Sequence, residues 1–359
     1  MRDDLRNCLQ AYWIRTFPDK QDAKIGELVR FDQGLENELY FFNVKYGTAE
    51  APCEELVLRI YPGDGADSKS AHEFHSMKRL HEIGYPVPQV LILGRENSPL
   101  GKPFIVMKRV AGEAMGSLLF SVSETKQQAL VTLFCELLAQ LHMLDWRPFA
   151  GDYAGVEQFR ANERYQAGDR YAFVDQWLRR ALGLLRHFPE TNLAPAVAWL
   201  ERQRDELPCL CPSVVHCDYH PNNVLLCDDG SAVVVDWTNF DISDPRFDLA
   251  CTLTWFNAYL GTAWRDLILQ KYEYLTGVKM EQIELFEVSA YIESLFRIAI
   301  SLLYGPGRIG MRPDAVAMMK EEAVIYRRIC VLLREATGIR IAKIERLLAS
   351  LTRYAQSYA

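Results

Sequence analysis

Polar and apolar positions follow two rhythms along this chain, one in its first third and another after it. Leu5, Cys8, Leu9 and Trp13 recur at three- and four-residue spacing, which predicts a short amphipathic helix over residues 2–15. Three runs rich in β-branched and aromatic residues follow, Ile25 to Phe31, Leu39 to Tyr46 and Glu55 to Tyr61. Gly34 and Gly47 separate them, so hairpin strands are expected. Phe74, Met77, Leu80 and Ile83 place a helix over 68–84, stopped by Gly84 with Pro86 and Pro88 beyond. Val87 to Leu93 and Phe104 to Val110 add two strands. This part reads as a five-stranded antiparallel sheet with one main helix, ending at a hinge around Val110-Ala111-Gly112.

From about residue 118 the period lengthens to that of helices. Leu130, Leu133, Leu137, Leu138 and Leu141 mark one over 126–144, and five more are expected after Asp248, at 249–260, 263–275, 281–303, 314–336 and 340–355. The fold class that follows is α+β: a small antiparallel-sheet domain over 1–110 and a larger, mainly helical one over 111–359.

Composition narrows the function. At 359 residues, 49% of them apolar, the chain can fill two cores. A net charge of −7 without a Lys/Arg cluster tells against a nucleic-acid partner. No run of about eighteen apolar residues calls for a membrane. Charges near the N-terminus, where a signal peptide would need an apolar core, make the cytoplasm the expected location. Nine scattered cysteines give neither a zinc knuckle nor a disulfide framework and are read as reduced thiols. Oligomeric state is left open.

The chemistry concentrates in Val214–Leu226 and Ala232–Trp237, two short apolar runs that each deliver acids or amides to a loop. His216-x-Asp218-x-x-x-x-Asn223 fits the kinase catalytic-loop template: Asp218 to accept a substrate hydroxyl proton, Asn223 to hold a metal ion. Asp236, at the end of a β-branched run, stands where that pattern places a second metal-binding acid. ATP needs divalent cations to neutralise its phosphates, and one hard oxygen from each loop suits Mg²⁺. His216-x-Asp218-x-His220 could also be taken for a hydrolase metal cluster, but Pro221 and two Asn residues end the strand at once and no further ligand cluster follows. His72, His75 and His81 are read as a wet helix face.

These motifs, with Asp244-Pro-Arg-Phe-Asp248, resemble the aminoglycoside phosphotransferase and choline kinase-like family. The resemblance implies a bilobal protein kinase-like fold, ATP and Mg²⁺ as cofactors, and transfer of the γ-phosphoryl group to a hydroxyl of a small metabolite or antibiotic. It implies that Asp248 and His216 brace the catalytic loop, and that the turn Gly34 to Asn37 covers the nucleotide phosphates. It puts Arg59 at the position usually held by a nucleotide-binding Lys, with Glu73 as its ion-pair partner, and the Met107–Arg109 backbone against the adenine. Arg at that position departs from the commonest pattern: its fork can pair with phosphate bidentately, where Lys offers a point charge. With a single glycine in the phosphate turn, it gives what support there is to an alternative, a catalytically silent nucleotide-binding pseudokinase. A Mg²⁺-dependent hydrolase is a third reading. Segment 151–207, expected to line the acceptor site, holds nine Asp/Glu against eight Arg and so lacks the acidic excess that a polycationic aminoglycoside would want.

Overall fold

The computed structural model describes residues 2–31, 37–47, 53–63, 65–95, 97–151 and 160–356. It divides into two compact units. One comprises Met1–Glu113, Leu225–Thr238 and Gly310–Ala315, the other Ala114–Val224, Asn239–Ile309 and Val316–Ala359.

The first unit opens with α1 (Arg2–Thr16) and strands β1 (Lys24–Ile25), β2 (Val29–Phe31), β3 (Glu38–Lys45) and β4 (Cys53–Ile60), continues with α2 (Ala66–Glu82), β5 (Val90–Gly94) and β6 (Phe104–Lys108), and reaches β7 (Gly112–Ala114). The antiparallel sheet runs β1-β3-β4-β6-β5, with β2 also paired to β3. The run expected as one strand over 25–31 is split. Gly26 donates its amide to the Asn43 carbonyl, and a Cβ there would fall on the Asn43 side chain.

Alternation along the strands decides what each face carries. Tyr40, Phe42 and Val44 of β3 and Leu56, Leu58 and Ile60 of β4 point into one core, which Leu9 and Trp13 of α1 close. Arg59, between Leu58 and Ile60, must therefore point to the opposite face. α2 covers that side with a stripe at three- and four-residue spacing, Ser70, Glu73, Met77 and Leu80, so Glu73 is carried inward with the apolar residues. Ile83, expected on the buried stripe, lies just past the helix end and is exposed.

The second unit contains α3 (Met115–Leu118), α4 (Glu124–His142), α5 (Arg147–Gly151), α6 (Arg160–Gln166), α7 (Ala172–His187), α8 (Ala194–Glu201) and β8 (Ser213–Val215). After it the chain adds a hairpin to the first unit, β9 (Val224–Cys227) and β10 (Ala232–Val234), with β7 on the free side of β9. Gly112 allows that pairing, since a Cβ there would lie 2.8 Å from the Leu226 carbonyl oxygen. Strand β11 (Asp241–Ser243) returns to pair with β8. Helices α9 (Pro245–Leu260), α10 (Thr262–Thr276), α11 (Ile283–Tyr304), α12 (Ala315–Glu321), α13 (Ala323–Thr337) and α14 (Ala342–Gln356) follow. α11 is buried on nearly every side, as its apolar sequence requires. The helix expected over 314–336 is two, interrupted at Glu322 without a Gly or Pro to mark it.

Candidate active site

In the second unit the loop between β8 and β9 carries Asp218 and Asn223, and one buried carboxylate organises it. Asp244 caps α9 by accepting from the Arg246 amide at 3.0 Å, with Pro245 opening the helix. One turn on, Asp248 is fully buried and accepts from the backbone amides of His216 at 2.7 Å and Cys217 at 2.8 Å. His142, the last residue of α4, places Nε2 3.1 Å from the same carboxylate, while its Nδ1 lies 2.7 Å from the Tyr272 hydroxyl. Burial alone would raise the Asp248 pKa, but hydrogen bonds and charge from His142 and His216 hold it below the ordinary value, so it is ionised.

The loop is tense as well as tied. Cys217 takes φ 60°, a left-handed conformation that costs a non-glycine residue of order 1–3 kcal/mol, and the Asp248 bond to its amide helps fix it there. Asp218 then leads outward, its side chain about a third exposed and its amide donating to His216 Nδ1 at 3.3 Å. Asn223 donates Nδ2 to the Asp218 carbonyl at 2.9 Å, and its own amide bonds to the His220 carbonyl. Its carbonyl oxygen enters none of these bonds. Gly116 completes the support from α3, because a Cβ there would overlap the Asn222 side chain.

In the first unit Arg59 is the centre of a buried cage. Nη1 lies 3.1 Å from Glu73 Oε1, and Nη2 donates to Asp236 Oδ1 and Thr238 Oγ1 at 2.5 Å each. The Asn37 amide, turned so that its oxygen faces the guanidinium, accepts from Nη2 at 2.7 Å and Nε at 2.8 Å. Tyr61 donates to Glu73 Oε2 at 2.6 Å, and the Thr238 hydroxyl lies within hydrogen-bond distance of both Glu73 and Asp236. Burial opposes the Arg59 charge, yet Asp236 and Glu73 raise its pKa well above the ordinary value; burial raises that of Glu73, against the pull of Arg59. Asp236 is the cage's open side, with a side chain 43% exposed and φ 66°.

The other expected positions are placed as follows. Gly34 lies outside the described residues. Met107 is buried in β6, in register with Val57 and Val90. The Arg109 amide donates to the Glu55 carbonyl at 3.0 Å, while its guanidinium lies 3.5 Å from the Glu55 carboxylate and over the Phe41 ring. Sequence reasoning missed His142, Thr238, Tyr61 and Gly116. For His142 and Gly116 the spacing carried no signal; for Thr238 the two-residue offset from Asp236 was the available one. Among the described residues no group of three or more His, Cys, Asp or Glu could hold a metal ion by itself.

Residues 27–286 match the phosphotransferase enzyme family. Among curated proteins, mouse acyl-CoA dehydrogenase family member 10 is 28% identical over 237 residues, covering 62% of this chain and 20% of that protein. Chicken acyl-CoA dehydrogenase family member 11 is 25% identical over 254 residues, 67% of this chain and 30% of that protein. The chain thus spans under a third of the length of these relatives. Among solved structures, a Ralstonia eutropha protein assigned to the aminoglycoside phosphotransferases superposes with a TM-score of 0.58 at 17% identity, covering 90% of this chain and 97% of that one. A thermostable APH(4)-Ia variant in ternary complex with AMP-PNP and hygromycin B gives 0.53 at 17%, covering 92% and 99%. Plasmodium vivax ethanolamine kinase gives 0.52 at 12%, covering 86% and 81%. At these identities the likeness is one of fold: α+β and kinase-like.

Proposed function

Because the chain belongs to the phosphotransferase enzyme family, we propose that it is an ATP- and Mg²⁺-dependent kinase that phosphorylates a hydroxyl of a small molecule. The observation that carries this reading is the Asp248 brace. It pins the amides of the two residues before Asp218, so a partly exposed carboxylate is held on a fixed backbone, as a group that must orient an acceptor requires.

The donor atoms suit a hard cation. Asp236 offers an exposed carboxylate and Asn223 a carbonyl oxygen outside its hydrogen bonds, and Mg²⁺ takes one or two protein oxygens with phosphate and water completing its shell. Bound Mg·ATP supplies the phosphoryl donor and neutralises its charge. Asp218 would hydrogen-bond the acceptor hydroxyl, aim its oxygen and take its proton as that oxygen bonds the γ-phosphorus and the bond from that phosphorus to the departing ADP oxygen breaks. Glu73, Thr238 and Asn37 hold Arg59, and Arg59 holds Asp236, so these residues act on the metal ligand by positioning it.

Asp218→Asn tests the reading. It should fold and bind Mg·ATP as the parent does, and turn over any acceptor about a hundredfold more slowly. Near-parental turnover would remove Asp218 from the mechanism.

A further inference from the structure

Three elements of the helical unit converge on His142, and each fastens a different part of it. Its carbonyl accepts from the hydroxyl of Ser213, the first residue of β8, at 2.8 Å. Nε2 faces Asp248 on α9 at 3.1 Å, and Nδ1 faces the Tyr272 hydroxyl on α10 at 2.7 Å. The His142 and Tyr272 rings meet edge to face, their centroids 5.6 Å apart.

The direction of each hydrogen bond follows from groups that cannot change roles. The amides of His216 and Cys217 only donate, so Asp248 accepts from both. Its carboxylate stays ionised and has no proton to offer His142. Nε2 is therefore the ring nitrogen that carries a proton and donates it to Oδ2. Tyr272 is 2% exposed, and burial together with the Asp248 charge raises its pKa, so the phenol keeps its O–H. Among the described residues that hydroxyl has no second hydrogen-bond partner, so it donates to Nδ1. The chain of bonds runs from Tyr272 through His142 to Asp248 and the two loop amides.

Each link fixes the next. A donor at Nδ1 keeps a lone pair there and the proton at Nε2, the one tautomer that gives Asp248 Oδ2 a second donor beside the His216 amide. Take that donor away and a buried lone pair is left unpaired, while the Nε2–H bond loses the polarisation that strengthens it. A carboxylate held less firmly at Oδ2 turns more easily from the Cys217 amide at Oδ1, and that bond helps keep Cys217 at φ 60°, one residue before Asp218.

We propose that Tyr272 is a positioning residue: by donating to His142 it selects the Nε2–H tautomer, and through Asp248 it sets the backbone that aims Asp218. Its effect on turnover rests on the kinase reading, whereas the tautomer and the protection of the loop can be measured without turnover.

The test is Tyr272→Phe in the full chain, which removes one oxygen and keeps the ring. Hydrolysis of Mg·ATP, with water in the acceptor's place, should fall about tenfold in kcat while KM for ATP stays within about twofold of the parent. Histidine ¹⁵N spectra of the parent should show His142 protonated at Nε2 with a hydrogen-bonded lone pair at Nδ1. In the variant the Nδ1 signal should leave that position, and the Cys217 amide should exchange about tenfold faster. In a His142→Ala background Tyr272→Phe should change kcat by less than about twofold, because residues acting in series share one effect. Should His142→Ala fail to fold, the single variant decides. A shifted Nδ1 signal and faster Cys217 exchange in a protein that hydrolyses no ATP would uphold the chain of bonds and remove the kinase reading. A parent His142 protonated at Nδ1, a Tyr272→Phe effect confined to melting temperature, or additive losses of kcat in the double variant would overturn the proposal.

Discussion

Replacing Asp248 by Asn removes one charge and almost no volume, so its effect isolates what the carboxylate does. An amide has one accepting oxygen, whereas Asp248 accepts on both. With the new NH₂ at the Oδ2 position it would face the His216 amide and His142 Nε2; at the Oδ1 position it faces the Cys217 amide alone. The second orientation sacrifices fewer bonds. It leaves one buried amide opposed by a donor, at about 1–3 kcal/mol, and turns two charge-assisted bonds into neutral ones, at roughly 1 kcal/mol each, so about 3–5 kcal/mol of stability is lost. Denaturant unfolding at neutral pH measures that loss. Amide hydrogen exchange adds a positional readout: protection should fall at Cys217 and persist at His216. The Asp248 pKa is depressed in the fold, so its contribution is complete above the ordinary carboxylate value and fades as pH falls through the folded one; the gap between parent and variant should narrow in acid. A change below about 0.5 kcal/mol, or equal loss of protection at both amides, would refute the brace.

Three further outcomes are expected. Arg59→Met leaves fully buried Glu73 without its cation and should destabilise by about 3–5 kcal/mol; adding Glu73→Gln should recover part of this, whereas simple addition of the two effects in denaturant unfolding would count against the cage. Asp241, whose pKa burial lifts to about 7, contributes stability that is complete below about pH 4 and lost as pH rises through 7, so Asp241→Asn should gain on the parent by about 3–4 kcal/mol between pH 4 and 8 in a melting series. Gly116→Ala should push Asn222 and lower turnover about tenfold or more with little loss of melting temperature; unchanged turnover would make the close approach incidental.

Much of this was legible in the chain. Strand and helix positions followed from period, because each element buries one face and the face fixes the spacing. The Arg59–Glu73 pair was legible only through the family resemblance, because the helix stripe read from spacing ran through Phe74, Met77 and Leu80 and did not include Glu73. Contacts that depend on where a loop ends were not. Thr238 meets Arg59 across 179 positions of sequence, and His142 meets Asp248 across 106, and neither pairing leaves a periodic trace. The break at Glu322 was hidden for the opposite reason, since the flanking residues are all acceptable in a helix.

The first unit is assembled from three separate stretches of chain, and this bears on how it can form during synthesis. Until residues 225–238 have been made, Arg59 and Glu73 lack Asp236 and Thr238, and β7 has no β9 to pair with. The last stretch, 310–315, comes later still. A nascent chain therefore carries an incomplete sheet domain while more than a hundred residues of the helical unit are made, the period in which a chaperone would find it open. A fragment cut at Glu113 would stay in that condition permanently, so this unit is not a module that can be transplanted as a contiguous piece.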